Sequence, residues 1–194
     1  MQLLVEKIKK EGVYVGGGII KVDALLNHQV DVHLMSAVGK SFAKAFATSG
    51  ATMVLTAESS GIPPAFAVAQ ALGIPLVYAR KKTPLTMSQQ VYHAEAPSRT
   101  KGGVTPLIVS ADYMTAKDRV LLIDDFLASG LTGVALLDIV EQSGATLVGV
   151  GCVVEKVFEP GRERLEAIYS GPIVSLAKID LINDGAEIHV YSGN

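Results

Sequence analysis

The sequence predicts an α/β fold: a doubly wound, mainly parallel sheet with helices on both faces. Three observations carry that prediction. Short apolar runs such as Val120-Leu121-Leu122-Ile123 alternate with segments of helical periodicity. The runs are apolar at successive rather than alternate positions, as strands buried on both faces must be. Small and polar residues follow the carboxyl ends of the runs, where open parallel sheets bind ligands. The 194 residues, 49% hydrophobic and 19% charged, suit one domain with a full core.

The N-terminal stretch MQLLVEKIKKEG has too short an apolar run for a secretory leader, and charged residues interrupt it at once. A helix is expected at each end of the segment before the first sheet strand, with Gly16-Gly17-Gly18 as a flexible bend. In Asp31–Ser49, Leu34, Met35, Val38, Phe42 and Phe46 fall at helical spacing; Asp31 stands at the N-cap and Gly50 lies past the end. Thr52–Ala57 is a β-branched and apolar strand, followed by the polar turn Glu58-Ser59-Ser60-Gly61 and a helix through Ala65–Leu72 that stops at Gly73. Pro75–Ala79 is the next strand and delivers Arg80-Lys81-Lys82. From there to Gly103 the periodicity fails, which predicts a long excursion or a loose hairpin, of the kind that serves as a lid. Regular structure returns at Thr105–Ser110 and at Val120–Ile123, which ends on Asp124-Asp125. A helix over Leu131–Ser143 closes at Gly144, and Thr146–Val154 is a further strand.

Charge and cysteine content exclude several classes. Seventeen basic against 19 acidic residues leave a formal charge of −2, so no global attraction to nucleic acid or to an anionic membrane is expected. Nowhere do ~18 apolar residues run together, and no membrane span is expected. One cysteine excludes an internal disulfide; Cys152, inside Val148–Val154, reads as a buried small hydrophobe. These features point to the cytoplasm.

Motifs with a familiar look are set aside on context. Gly149-Val150-Gly151 lacks the third glycine of a dinucleotide fingerprint and sits inside a strand. Gly39-Lys40-Ser41 imitates the end of a P-loop, but Leu34 occupies the place of its first glycine and the triplet falls mid-helix. No GxSxG elbow occurs, and the 4 histidines show no zinc-protease spacing.

The informative segment runs from Val120 to Thr132. A buried strand delivers two carboxylates, and a turn of small residues, Ala128-Ser129-Gly130, then opens a helix. Free amides at a helix N-terminus accept phosphate, and neighbouring carboxylates accept hydrogen bonds from sugar hydroxyls. Together they suit a phosphorylated sugar. An acidic β–α turn with a capped helix, ordinary in any doubly wound fold, fits the same spacing.

Four apolar residues, Asp-Asp and a Ser-Gly turn resemble the phosphoribosyl-diphosphate (PRPP) signature of the type I phosphoribosyltransferases. The resemblance runs over nearly the whole chain: Glu58–Gly61 sits where that family has its diphosphate loop, and the excursion after Arg80 where it has a flexible catalytic loop. Lys21-Val22-Asp23 with Leu26-Asn27-His28-Gln29, then Asp124–Ala128, then Glu155-Lys156 with Phe158 and Pro160-Gly161-Arg162, are similar to the branch of the family that acts on xanthine. Ile20 stands where that pattern has leucine, a conservative change.

The resemblance implies a single phosphoribosyltransferase domain over residues 1–194, with 1–30 and about 155–194 forming a hood over the base site. It implies purine salvage: C1 of PRPP joined to N9 of xanthine, with diphosphate released. Asp124 and Asp125 would hold the ribose hydroxyls and favour the cation developing at C1. Ala128, Ser129, Gly130, Leu131 and Thr132 would bind the 5′-phosphate, and Ser59, Ser60, Arg80 and Lys81 the diphosphate. Mg2+ would arrive with PRPP, and no protein-held metal site is expected. Lys156 would donate to the 6-oxo group, Asn27 to the 2-oxo group, while Phe158 stacks on the base and Ile20 covers its other face. A homodimer is implied, without nucleic acid or membrane partners. Two alternatives stay open on these residues: a transferase for adenine or for guanine and hypoxanthine, and a PRPP-sensing regulator. The first is set by donors and acceptors at positions 2 and 6; the second needs a DNA-reading module and a basic face.

Overall fold

A computed structural model describes residues 1–17, 19–22, 25–26, 28–82, 90–97, 103–183 and 185–193. The chain opens with α1 (Gln2–Glu11) and a small antiparallel hairpin, β1 (Val13–Gly16) and β2 (Ile19–Lys21). Then come α2 (Val32–Ala45), β3 (Met53–Ala57), α3 (Ile62–Leu72) and β4 (Leu76–Ala79). A second hairpin, β5 (Val91–Pro97) and β6 (Val104–Ser110), precedes β7 (Arg119–Leu127) and α4 (Leu131–Ser143). The chain continues through β8 (Thr146–Lys156), α5 (Gly161–Glu166), β9 (Ile173–Ile182) and β10 (Glu187–Ser192).

The central sheet is six-stranded in the order β10-β9-β8-β7-β3-β4. Every pair from β9 to β4 is parallel, and β10 returns antiparallel beside β9. Period-two alternation along β7 sends Leu121 and Ile123 into a core shared with α1, α2 and α3, and Val120 and Leu122 into a core shared with α4. The predicted doubly wound α/β architecture is therefore the observed one. No helix among the described residues is long and apolar enough to cross a membrane.

Local chemistry explains most boundaries. Asp31 caps α2, its Oδ1 accepting from Leu34 N at 3.0 Å. The helix ends at Ala45, short of the predicted Ser49, because the Arg119 guanidinium takes the carbonyls of Ser49 and Gly50 at 2.7 and 3.0 Å. In the other direction, α3 starts at Ile62 rather than Ala65, since Pro63 and Pro64 sit in a first turn that needs no amide donors. Gly144 ends α4 with φ 71°.

Gly149 and Gly151 owe their place in β8 to packing: a Cβ on Gly149 would lie within 3 Å of the Phe46 ring just past the end of α2, and one on Gly151 within 3 Å of the Phe42 ring of α2. Gly39 lies mid-helix in α2, where a Cβ would strike Ala67 O of α3.

The strand expected over Thr105–Ser110 is β6, and of the two forms expected after Arg80 the hairpin is the one present: β5 pairs with β6 over 91–97 and 104–110, outside the six-stranded sheet, and a bridge between Arg80 and Ile108 joins it to the end of β4. The correction is one of regularity, because Val91–Pro97 is a strand where the sequence shows no periodicity; residues 83–89 and 98–102 lie outside the described residues.

Candidate active site

The strands β3, β4, β7 and β8 all deliver their carboxyl ends to one edge of the sheet. At that edge β7 carries Asp124 and Asp125, with Asp125 N donating to Asp124 Oδ1 at 3.0 Å. Burial, and then the charge of Asp125 beside it, push the Asp124 carboxyl well above the usual carboxylate range. An outer edge of Asp124 still reaches the surface. The site thus holds a carboxyl that gains by meeting a hydroxyl donor or a cation.

The turn after β7 brings its small residues against α5. Gly130 takes φ 77° as it opens α4, a conformation that L side chains rarely adopt. A Cβ there would lie 2.8 Å from both Cα and O of Gly161, and one on Gly161 would strike Ala128 O. Only two glycines allow that approach. Arg164 Nη1 donates to Ser129 O from the same helix. Asp124, Ala128, Ser129, Gly130 and Thr132 border one cavity of about 130 Å³, with Leu122 and Cys152 in its lining. Burial raises the Cys152 thiol, in keeping with an unreactive core cysteine.

Across the sheet edge, Glu58 organises the turns after β3 and β4. Its Oε1 accepts from Lys81 N at 2.6 Å, while its Oε2 lies 3.0 Å from Arg80 Nε. Arg80 Nε is off the hydrogen-bonding line, so that contact is one of charge. Arg80 also lies over the Tyr78 ring, 5.7 Å from its centre. Ser59 is exposed, Ser60 half-buried, and the peptide between Glu58 and Ser59 is cis. Gly61 lets this turn pass close to β7: a Cβ there would strike Thr56 Oγ1 and lie 2.8 Å from Asp124 Oδ1. The fully buried Thr56 hydroxyl has no hydrogen-bond partner among the described residues.

On the third side, β8 runs out through Glu155 and Lys156. Lys156 Nζ lies 5.6 Å from the centre of the Phe126 ring and 3.8 Å from Glu159 Oε1. Phe158 is half-buried and packs on the α2-side core; Ile20, 7% exposed, is part of that core. Asn27 lies outside the described residues. Glu155 is buried and accepts from Arg162 Nε, Arg162 Nη2 and Ser175 Oγ, each at 2.6 Å. Burial would raise its carboxyl, but Arg162 and Ser175 outweigh that and hold it below the usual range.

The structure therefore brings Asp124, Asp125, Ala128–Thr132 and Ser59–Ser60 to one sheet edge, with Arg80 and Lys81 beside them. Sequence reasoning gave no role to Glu58, Phe126, Thr56, Ser175 or Arg164. Glu58 alone carried a local signal, as an acid at a strand end followed by a small-residue turn.

A glycine-braced loop at the start of a helix stands beside two strand-end aspartates and opposite a second polar turn, an arrangement whose chemistry suits a phosphorylated sugar. The chain belongs to the phosphoribosyl transferase domain family, whose profile matches residues 22–186. It is similar to the xanthine phosphoribosyltransferase of Deinococcus deserti, 48% identical over 194 residues and 100% of both chains. It is similar also to that of Geobacillus thermodenitrificans, 49% identical over 185 residues and 95% of both. Among solved structures, the adenine phosphoribosyltransferase of Trypanosoma brucei shares its fold with a TM-score of 0.74, at 22% identity, over 94% of this chain and 82% of that one.

Proposed function

We propose that this chain transfers the 5-phosphoribosyl group of PRPP to N9 of xanthine, yielding xanthosine 5′-monophosphate and diphosphate in purine salvage. One observation carries the sugar-phosphate half: Asp124 borders the same cavity as the Gly130 turn that opens α4. Full-length likeness to proteins named xanthine phosphoribosyltransferase supports the choice of base.

On this proposal the 5′-phosphate sits on Ala128–Thr132, away from the reacting carbon, where its binding energy serves positioning. Asp124 and Asp125 accept from the ribose hydroxyls. As the C1–O bond to diphosphate breaks, their charge favours the oxocarbenium character at C1. Ser59, Ser60, Arg80 and Lys81 hold the departing diphosphate. Mg2+ bound to that diphosphate would neutralise its charge, and Asp124 and Asp125 would supply hard oxygens suited to its water shell. Lys156 donates to the purine 6-oxo group, Asn27 to the 2-oxo group, and Phe158 and Ile20 flank the ring.

Residues 1–30 and about 155–194 form the hood over that base. Contacts between the two ends of the chain support it: Met1 N donates to Leu176 O at 2.5 Å and Tyr14 OH to Gly185 O at 2.8 Å. The working form on this proposal is a cytoplasmic homodimer. The large exposed side chains Phe66 and Tyr78 offer apolar surface for a second copy, which sedimentation would detect.

The central test is incubation with PRPP, Mg2+ and xanthine, guanine, hypoxanthine or adenine in turn, following diphosphate release. Fastest release with xanthine is expected. Faster release with another base would reassign the substrate, and PRPP binding without release on any base would make the chain a sensor.

A further inference from the structure

Two successive carbonyls of the Ala128–Thr132 loop turn toward α5. Ser129 O accepts from Arg164 Nη1, and Ala128 O lies so close to Gly161 that a Cβ there would strike it. In a trans peptide the carbonyl and the amide point in opposite directions. The amides paired with those carbonyls, on Ser129 and Gly130, are therefore turned away from α5. Two consecutive N–H groups on one side of a loop that passes into the left-handed region make an anion-binding nest, and Gly130 has φ 77°. Helix α5 thus gathers the carbonyls and leaves the amides for an anion.

We propose that Arg164 is a positioning residue for the 5′-phosphate of the phosphoribosyl donor, acting through the Ser129 carbonyl. Its hydrogen bond fixes the peptide plane that aims Gly130 N–H, and its charge polarises that peptide so that the amide donates more strongly. The same short helix carries Arg162, bonded twice to Glu155 on the strand that ends in Lys156. One turn of α5 therefore spans the phosphate loop and the base-side strand. The inference rests on the assignment of Ala128–Thr132 to the phosphate.

Calorimetry with ribose 5-phosphate and, separately, with Mg2+-diphosphate tests it. Arg164→Ala should weaken ribose 5-phosphate by about ten-fold or more and leave diphosphate within about two-fold, since a charge-assisted hydrogen bond is lost from one subsite only. In steady-state kinetics KM for PRPP should rise while KM for xanthine stays, and Arg164→Lys should recover part of the loss. Where the alanine variant does not fold, Arg164→Gln reads the same ratio. A folded variant that binds ribose 5-phosphate like the wild type, or that loses both ligands equally, overturns the inference. A wild-type protein that binds neither PRPP nor ribose 5-phosphate would instead remove the proposed function, and this inference with it.

Discussion

Glu155 and Arg162 meet as a two-pronged ion pair, Nε to Oε1 and Nη2 to Oε2 at 2.6 Å each. Only the turn between β8 and α5 separates them in sequence, and Ser175 of β9 closes the group by donating to Oε2 at 2.6 Å. The Glu155 side chain is 3% exposed and that of Arg162 27%, so the pair straddles the surface with its negative end buried. It ties three elements together beneath the base-side strand.

Removing Arg162 should therefore cost more than its own contacts. Arg162→Met leaves the carboxylate buried without its counter-charge, and the partial exposure places the loss toward the lower end of the ~3–5 kcal/mol seen for broken buried pairs. Glu155→Met combined with Arg162→Met should recover much of it. Urea unfolding of the single and double variants measures both, and a single-variant loss under about 1 kcal/mol would mean that solvent already screens the pair. The pH dependence has a definite sign. Glu155 lies below its ordinary range when folded, so its stabilisation is present at neutral pH and is lost as pH falls below ~4.3 toward the folded value. Glu155→Gln should flatten that acid limb.

Asp124 has the opposite sign. Its folded carboxyl is raised, so the stability it contributes is present in acid and lost as pH rises through the folded value. Asp124→Asn should then make the ligand-free protein more stable than wild type at neutral pH, with the difference vanishing in acid. Turnover should move the other way: Asp124→Asn with Asp125→Asn keeps the shape and should fall by at least ~100-fold, the scale of losing a preorganised electrostatic group. Thermal unfolding across pH, read beside steady-state rates, checks both halves. Only a few-fold loss of turnover would make the pair structural.

Much of this was legible from local signals. Asp31 capping α2, and glycines on either side of Leu131–Ser143, mark their own boundaries. The apolar runs of β3, β7 and β8 announce buried parallel strands, and the aspartates fall where such strands end. What stayed hidden depends on partners distant in sequence. The end of α2 is decided by Arg119, about 70 residues on. Strands β9 and β10 lack a long run of consecutive apolar residues to announce them: Ser175, Lys178 and Asp180 interrupt β9, and β10 lies at the partly exposed edge of the sheet. Ser175 reaches Glu155 only after β9 has joined the sheet, and nothing near Arg164 in sequence points to Ser129.

Gly130 should tolerate no side chain. Gly130→Val places a β-branched residue at φ 77° and drives its Cβ against the Gly161 backbone, so strain of ~1–3 kcal/mol comes before any packing loss. Stability and ribose 5-phosphate affinity should fall together, as urea midpoints and calorimetry would show. Wild-type stability would mean that the turn can move off α5, and that the contact with Gly161 does not set its shape.

Base choice is decided at two positions of the purine. Xanthine differs from hypoxanthine by an oxygen at position 2, and from guanine by having oxygen there in place of an amine. A donor from Asn27 should favour xanthine, and leaving such a group unpaired costs ~1–3 kcal/mol. At ~1.4 kcal/mol per decade this contact alone should discriminate roughly five- to a hundred-fold. Asn27→Ala should lower kcat/KM for xanthine while barely altering hypoxanthine, which presents nothing to bond at position 2. Lys156 should behave differently. Its ammonium is held at the end of β8, close to the Phe126 ring and to Glu159, and on the proposed assignment it addresses the 6-oxo group that all three bases share. Lys156→Ala should damage xanthine, guanine and hypoxanthine together. Steady-state kinetics of both variants on the three bases separates the roles. Equal loss on all three bases from Asn27→Ala would mean that Asn27 holds the N-terminal segment in place, and selection at position 2 would then belong to another group.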